Sequence, residues 1–220
     1  KGDKRMKNLL KRNLLIFFRD KSSVFFSLLA VFIILGLYIL FLGDIIVQGM
    51  GDMPGARFLI DSWIMAGLLA VTPATTSLGA MGTIIVDKKY GQYKDFAVSP
   101  LKRSTIVVGY VISGFIISLI LTLITFVLAE LYIVMYGGEL LSIEAALKVL
   151  GLILFNTAYS SIMMFYLVSW FKSVSAFSVA NNVIGSMIGF LTGIYIPIGN
   201  LPEAVQTVIK IFPPSHMAVL

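Results

Sequence analysis

Apolar runs of about twenty residues recur along the chain, separated by short polar breaks. Each is long enough, at 1.5 Å of helix rise per residue, to cover the ~30 Å hydrocarbon core of a bilayer. They predict five membrane spans, at about 24–42, 61–86, within 105–135, 145–169 and 174–196. Ahead of them, residues 6–18 read MKNLLKRNLLIFF. Met6, Leu9, Leu10, Asn13 and Phe17 fall on one side of a helix, with Lys4, Lys7, Lys11 and, less neatly, Arg12 towards the other. That pattern predicts a helix over 6–20 lying in the membrane interface, lysines towards anionic headgroups. The competing reading, that it simply begins the first span, would carry Arg19, Asp20 and Lys21 into lipid.

Within the second span, Pro73 removes one backbone donor and frees a carbonyl, and Thr75, Thr76 and Ser77 follow it. Nearby hydroxyls can serve such a carbonyl, so a kinked helix is expected. After the fifth span comes PIGNLPEAVQTVIKIFPPSH. Pro202 suits a helix start and Pro213 stops one, which predicts a short helix over 203–212. It is too short to span, so the 197–215 segment is expected to dip into the outer leaflet. The apolar pattern is rising again at Leu220, where a sixth span is expected to follow. No internal repeat or low-complexity linker divides the chain, and residues 1–220 read as one all-α, polytopic helical bundle.

Composition supports this class. The chain is 58% hydrophobic and 13% charged, against about 25% charged in soluble domains. The net charge of +6 raises nucleic acid as a partner, but the basic residues cluster beside spans, where topology explains them. With the N-terminus inside, fourteen Lys and Arg fall on the inner side, and only Arg57, Lys148 and Lys210 on the outer. By the positive-inside rule this makes the N-terminus and the 87–103 loop cytoplasmic. The absence of cysteine excludes disulfides and thiolate chemistry.

Reactive sets are missing too. The one histidine, His216, stands alone, and no HExxH, paired glutamates or Gly-x-Ser-x-Gly occurs. No GxxxxGK[ST] phosphate loop is present, so this chain has no such ATP site of its own. Glu130 is the one acidic candidate in a span, and Tyr132 and Tyr136 beside it point to the outer interface instead. Asn156, Asn181 and Asn182 read first as interhelical hydrogen-bond donors, with substrate contact as the alternative.

One segment asks for more than topology. DKKYGQYKDFAVSPLKR, residues 87–103, threads Tyr90, Tyr93 and Phe96 between bases. Read as a helix over 87–100, it sets Val86, Tyr90, Tyr93 and Ala97 on one side, a form suited to a groove on another protein. Lying on the inner leaflet is the alternative. The segment resembles the loop between spans two and three in permease subunits of type-2 ABC exporters, a family that includes bacterial drug, antimicrobial-peptide and polysaccharide exporters. The matching residues are Asp87, Lys88 and Lys89, then Gly91, Ser99-Pro100, Arg103, and Ile106 to Gly109. Span order, the N-terminal helix and the segment near Asn200-Leu201-Pro202 extend the resemblance over nearly the whole chain. Three positions depart from the family pattern: Gln92 for Thr, Lys94 for an acid, and Tyr110 where a base is common.

The resemblance implies a transport subunit without enzymatic activity. It implies a second permease half, identical or sibling, and two separate ATPase subunits that carry ATP and Mg. Tyr90, Gly91, Tyr93, Lys94, Asp95 and Phe96 would couple to those ATPases. Spans two and five would line the passage, with Thr72, Thr75, Thr76, Ser77 and Thr192 as its polar residues and an amphipathic or apolar cargo. Gly185, Gly189 and Gly193 recur every four residues along one side of span five. Such a stripe admits a close neighbour, either within the subunit or in the other half. A channel or secondary transporter without an ATPase is the alternative, and co-purification of a nucleotide-binding subunit separates the two.

Overall fold

The computed structural model describes residues 2–49, 55–99, 102–191 and 202–211. The described residues are helical apart from short caps and turns. In chain order the helices are α1 (Gly2–Arg19), α2 (Lys21–Leu37), α3 (Gly43–Gly49), α4 (Ala56–Lys89), α5 (Gln92–Val98), α6 (Arg103–Met135), α7 (Ile143–Ser169), α8 (Val174–Leu191) and α9 (Glu203–Ile211). Among them, Lys21–Gly49, Ala56–Lys89, Arg103–Met135 and Ile143–Ser169 are long and apolar enough to cross a membrane. The fifth, α8, is shorter, and the rest of its expected span lies outside the described residues, as do Pro100, Thr192, Gly193, Asn200, Leu201 and His216.

The break between α1 and α2 is chemical. Asp20 takes an extended backbone conformation, and its carboxylate accepts from the N–H groups of Ser22 (3.1 Å) and Ser23 (3.3 Å). It thereby satisfies donors that a helix start leaves open. The Ser23 hydroxyl bonds it as well and holds its carboxyl below the usual carboxylate range. The first span then runs on through a five-residue π-helical turn, Tyr38–Leu42, into α3. Gly43 leaves little room there: a Cβ would stand 3.0 Å from the Tyr38 carbonyl and 3.2 Å from the Arg57 guanidinium.

The expectation that α1 turns its apolar side to lipid is corrected in part. Leu9, Asn13 and Phe17, one stripe at four-residue spacing, are buried in protein. Asn13 donates to the Ser113 hydroxyl (3.1 Å), and Leu9 lies where a side chain at Gly109 would stand. A polar residue in the middle of the stripe marks a protein contact, because lipid offers an amide no partner. Leu15 and Ile16 remain exposed.

α4 is the hub, packed against α2, α3, α5, α6, α7 and α8. One buried cluster joins it to α2 and α6 through Leu28, Val31, Ile64, Leu68, Ile117 and Leu121. Another joins it to α1, α6, α7 and α8 through Leu9, Leu78, Met81, Ile106, Met164 and Ile188. The helix is continuous through Pro73. The hydroxyls around the proline serve the carbonyls of Leu68, Thr72 and Pro73 rather than that of Leu69, which the proline leaves free.

Candidate functional site

The 87–100 segment is not one helix. α4 continues through Asp87 to Lys89, the chain turns at Tyr90 and Gly91, and α5 follows with seven residues. Gly91 has φ +80°, the left-handed conformation that glycine adopts without strain and that commonly ends helices. The single face expected for Val86, Tyr90, Tyr93 and Ala97 is therefore divided between two helices. No neighbour crowds the Gly91 Cβ position, so Gly91→Ala acts through the backbone alone. It is expected to cost about 1 kcal/mol, read as a lower unfolding midpoint in detergent, with Gly91→Asn milder.

The three charges that close α4 go three ways. Asp87 turns inward and is 1% exposed. Its carboxylate accepts two bonds from Arg12, at 2.6 and 2.8 Å, and one from the Tyr110 hydroxyl. Lys88 reaches the end of α7, where its Nζ donates to the carbonyl oxygens of Ser169 (3.3 Å) and Phe171 (3.5 Å). A cation there complements the negative end of that helix. Lys89 stays exposed, its Nζ 5.3 Å from the centre of the Tyr90 ring.

Arg12 is the centre of this end of the bundle. Besides Asp87 it donates to Asn13 (3.0 Å) and to the Gln92 side chain at the start of α5 (3.0 Å), and its guanidinium sits 5.3 Å from the Phe96 ring centre. The hydrogen bond to Asp87 raises its pKa above the ordinary arginine value, against the opposing effect of burial. α1, α4, α5 and α6 thus meet in one bidentate, charge-assisted cluster, the strong class of hydrogen bond. Arg12, expected on the lysine side of α1, turns inward instead. Its charge faces protein because Asp87 at the end of α4 needs a counter-ion.

α5 presents an apolar edge to solvent. Val98 is 86% exposed, Tyr90 68% and Tyr93 37%, and Lys94 and Asp95 are exposed beside them. Phe96 differs: it is half-buried and packs on the cluster formed by α1, α4, α6, α7 and α8. It anchors α5 to the bundle, whereas Tyr93 and Val98 on α5, and Tyr90 in the turn before it, face outward. α5 ends where the Ser99 hydroxyl donates to the Phe96 carbonyl (2.7 Å).

The other expected residues lie deeper. Thr72, Thr76 and Ser77 are buried, with bonds to the Leu68 carbonyl (2.7 Å), the Ser118 hydroxyl (2.7 Å) and the Ser161 hydroxyl (3.1 Å) respectively. The Thr76 and Ser77 hydroxyls stitch α4 to α6 and α7, that of Thr72 stays within α4, and all three are buried in this chain. Thr75 is half-buried and bonds only carbonyls of its own helix. Asn156 donates to the Ala70 carbonyl (3.0 Å), an interhelical bond as its sequence context suggested. Gly185 is half-buried with open space where a side chain would point, while Gly189 is buried.

A second charged cluster at the opposite end escaped the sequence reading. Arg57 donates to Asp44 (2.5 Å) and to buried Asp61 (3.0 Å), and its guanidinium sits 4.2 Å from the Tyr136 ring centre. The Tyr132 hydroxyl donates to Asp61 (3.1 Å). Arg57 and Asp61 are four residues apart, a spacing that pairs charges on a helix and was legible as such.

Over residues 4–219 the sequence matches the ABC-2 type transporter family. Among curated proteins and among solved structures, nothing matches the chain. With a match across nearly the whole length, on a bundle of membrane-length helices carrying a short helix between the second and third, this protein belongs to the ABC-2 type transporter family and is a membrane-embedded permease of an ABC transporter.

Proposed function

We propose that the chain is one permease half of an ATP-driven exporter in the plasma membrane, its N-terminus and α5 in the cytoplasm. It pairs with a second half, identical or sibling. Two separate ATPase subunits bind ATP and Mg and dock on α5. The cargo is amphipathic or apolar and leaves the cell between the halves. Thr75, half-buried where Thr72, Thr76 and Ser77 are buried, is the candidate on α4 to face that passage. Gly185 leaves room on α8 for a helix of the other half.

The observation that carries this reading is the exposure of Tyr93 and Val98 on a short helix pinned by Arg12 and Phe96, with exposed Tyr90 in the turn before it. Aromatic side chains anchor protein interfaces. A pinned helix transmits displacement as a lever, because packed elements shift between discrete arrangements rather than deform continuously. ATPase closure would move α5, and the Arg12 cluster and Lys88 would pass that motion to α1, α6 and α7.

Tyr93→Asp tests the docking. A carboxylate forced into an apolar groove loses hydration that the groove cannot replace. Losing one aromatic anchor weakens binding by about 2 kcal/mol, roughly 30-fold. ATPase subunits should dissociate on purification and substrate-stimulated hydrolysis should fall, while Tyr93→Phe retains both. Full stimulation by Tyr93→Asp would reject α5 as the docking element.

A further inference from the structure

At the end of the bundle opposite α5 lies a cavity of about 740 Å³ between α4, α6, the α6–α7 connection and α7. That is within the ~300–1,000 Å³ of small-molecule sites. It follows α7 from Ala145 down to Asn156, about 17 Å of helix. The wall is mostly apolar, with Met65 and Leu69 from α4, Phe126 and Ile133 from α6, and Leu152 from α7.

The charged groups on this wall are of one sign: Glu130 and Glu139 line the cavity, and among the described residues no Lys or Arg does. Glu130 is half-buried near the end of α6, and its Oε2 accepts from the Leu141 backbone N–H (3.2 Å). Among the described residues no cation pairs with either carboxylate: Arg57 is held by Asp44 and Asp61, and Lys148 by Glu144. Farther in, Asn156 gives one N–H to the Ala70 carbonyl and accepts from Ser160. Its second N–H has no partner among the described residues.

Glu130 and exposed Glu139 stand at the rim of an apolar cavity, where two neighbouring carboxylates favour a cationic group over an anionic one. We propose that this cavity binds an amphiphilic organic cation, its positive centre against Glu130 and Glu139 and its apolar body filling the space towards Asn156. The same two carboxylates disfavour an anionic lipid headgroup, and a neutral acyl chain gains nothing from them. The described wall residues come from α4, α6, the α6–α7 connection and α7, so binding is tested on this chain alone.

Tetraphenylphosphonium and tetraphenylborate match in shape and oppose in charge, which makes them suitable probes. Equilibrium binding is measured on the full chain in nanodiscs of zwitterionic lipid, with empty nanodiscs subtracted. The cation should bind saturably and at least about tenfold more tightly than the anion, a difference of ~1.4 kcal/mol. Glu130→Gln should weaken the cation about tenfold and leave the anion no weaker. Leu69→Trp, which narrows the cavity and keeps both carboxylates, should weaken saturable cation binding at least about tenfold. Equal binding of the two ions, or cation binding unchanged by both substitutions, would overturn the proposal and leave a groove for lipid chains. Because no nucleotide or ATPase enters the assay, failure of α5 docking would not affect the result.

Discussion

Arg12→Ala should produce the largest loss of stability of any single substitution at the α5 end. Asp87 is buried, and Arg12 is its counter-ion. Removing one member of such a pair leaves an uncompensated charge, at a cost of about 3 kcal/mol. For a chain of this size that lowers the unfolding midpoint by about 6–12 °C. Arg12→Lys keeps the charge but loses the two-pronged geometry, and should fall between. Asp87→Asn should be milder, because Arg12 is partly exposed and can hydrate. Combining it with Arg12→Ala should recover part of the loss, with a coupling of about 1–3 kcal/mol in the double-mutant cycle. ATPase docking should weaken as well, since Arg12 also holds Gln92 and Phe96 of α5. A midpoint within a degree of the wild type would show that the pair does not hold this end together.

Arg57→Ala should match that loss of stability at the other end without its effect on docking. The guanidinium joins Asp44 on α3 and Asp61 on α4, and it covers the Tyr136 ring just past α6. Without it Asp61 keeps only the Tyr132 hydroxyl among the described residues. The expected cost is again about 3 kcal/mol, and Arg57→Ala with Asp61→Asn should recover part of it. The two arginines therefore separate folding from coupling. Both single variants should melt early in detergent, and only Arg12→Ala should release the ATPase when assayed well below its midpoint. Equal loss of docking in both would mean that instability alone explains the Arg12 effect.

Span order and the polar breaks were legible because membrane-length apolar runs have few alternative readings. The break at Asp20 was legible for the same reason: three charged residues in a row do not continue a span. The helix over 203–212 was placed by Pro202 and Pro213, and α9 occupies Glu203–Ile211. The turn at Gly91 was readable from Lys88 and Lys89 in the last turn before a glycine, yet the aromatic periodicity carried the expected helix across it. What the sequence hid was pairing over distance. Arg12 and Asp87 are 75 positions apart, and each has a local explanation, headgroup contact for one and loop polarity for the other. The interhelical bonds of Thr76 and Ser77 were hidden for a related reason. Threonine and serine in a span serve equally as lining or as stitches between helices, and only their neighbours on α6 and α7 distinguish the two.

The central claim, that α5 is where an ATPase docks, is tested most directly by a photo-reactive amino acid placed at Tyr93 or Val98 and activated in native membranes. Position 147, on exposed Leu147 at the other end of the bundle, is the control. The account predicts a crosslink from 93 and 98, and none from 147, to a protein that carries the GxxxxGK[ST] phosphate loop this chain lacks. Crosslinks from 93 and 98 that reach only lipid, or only proteins without that loop, would contradict it.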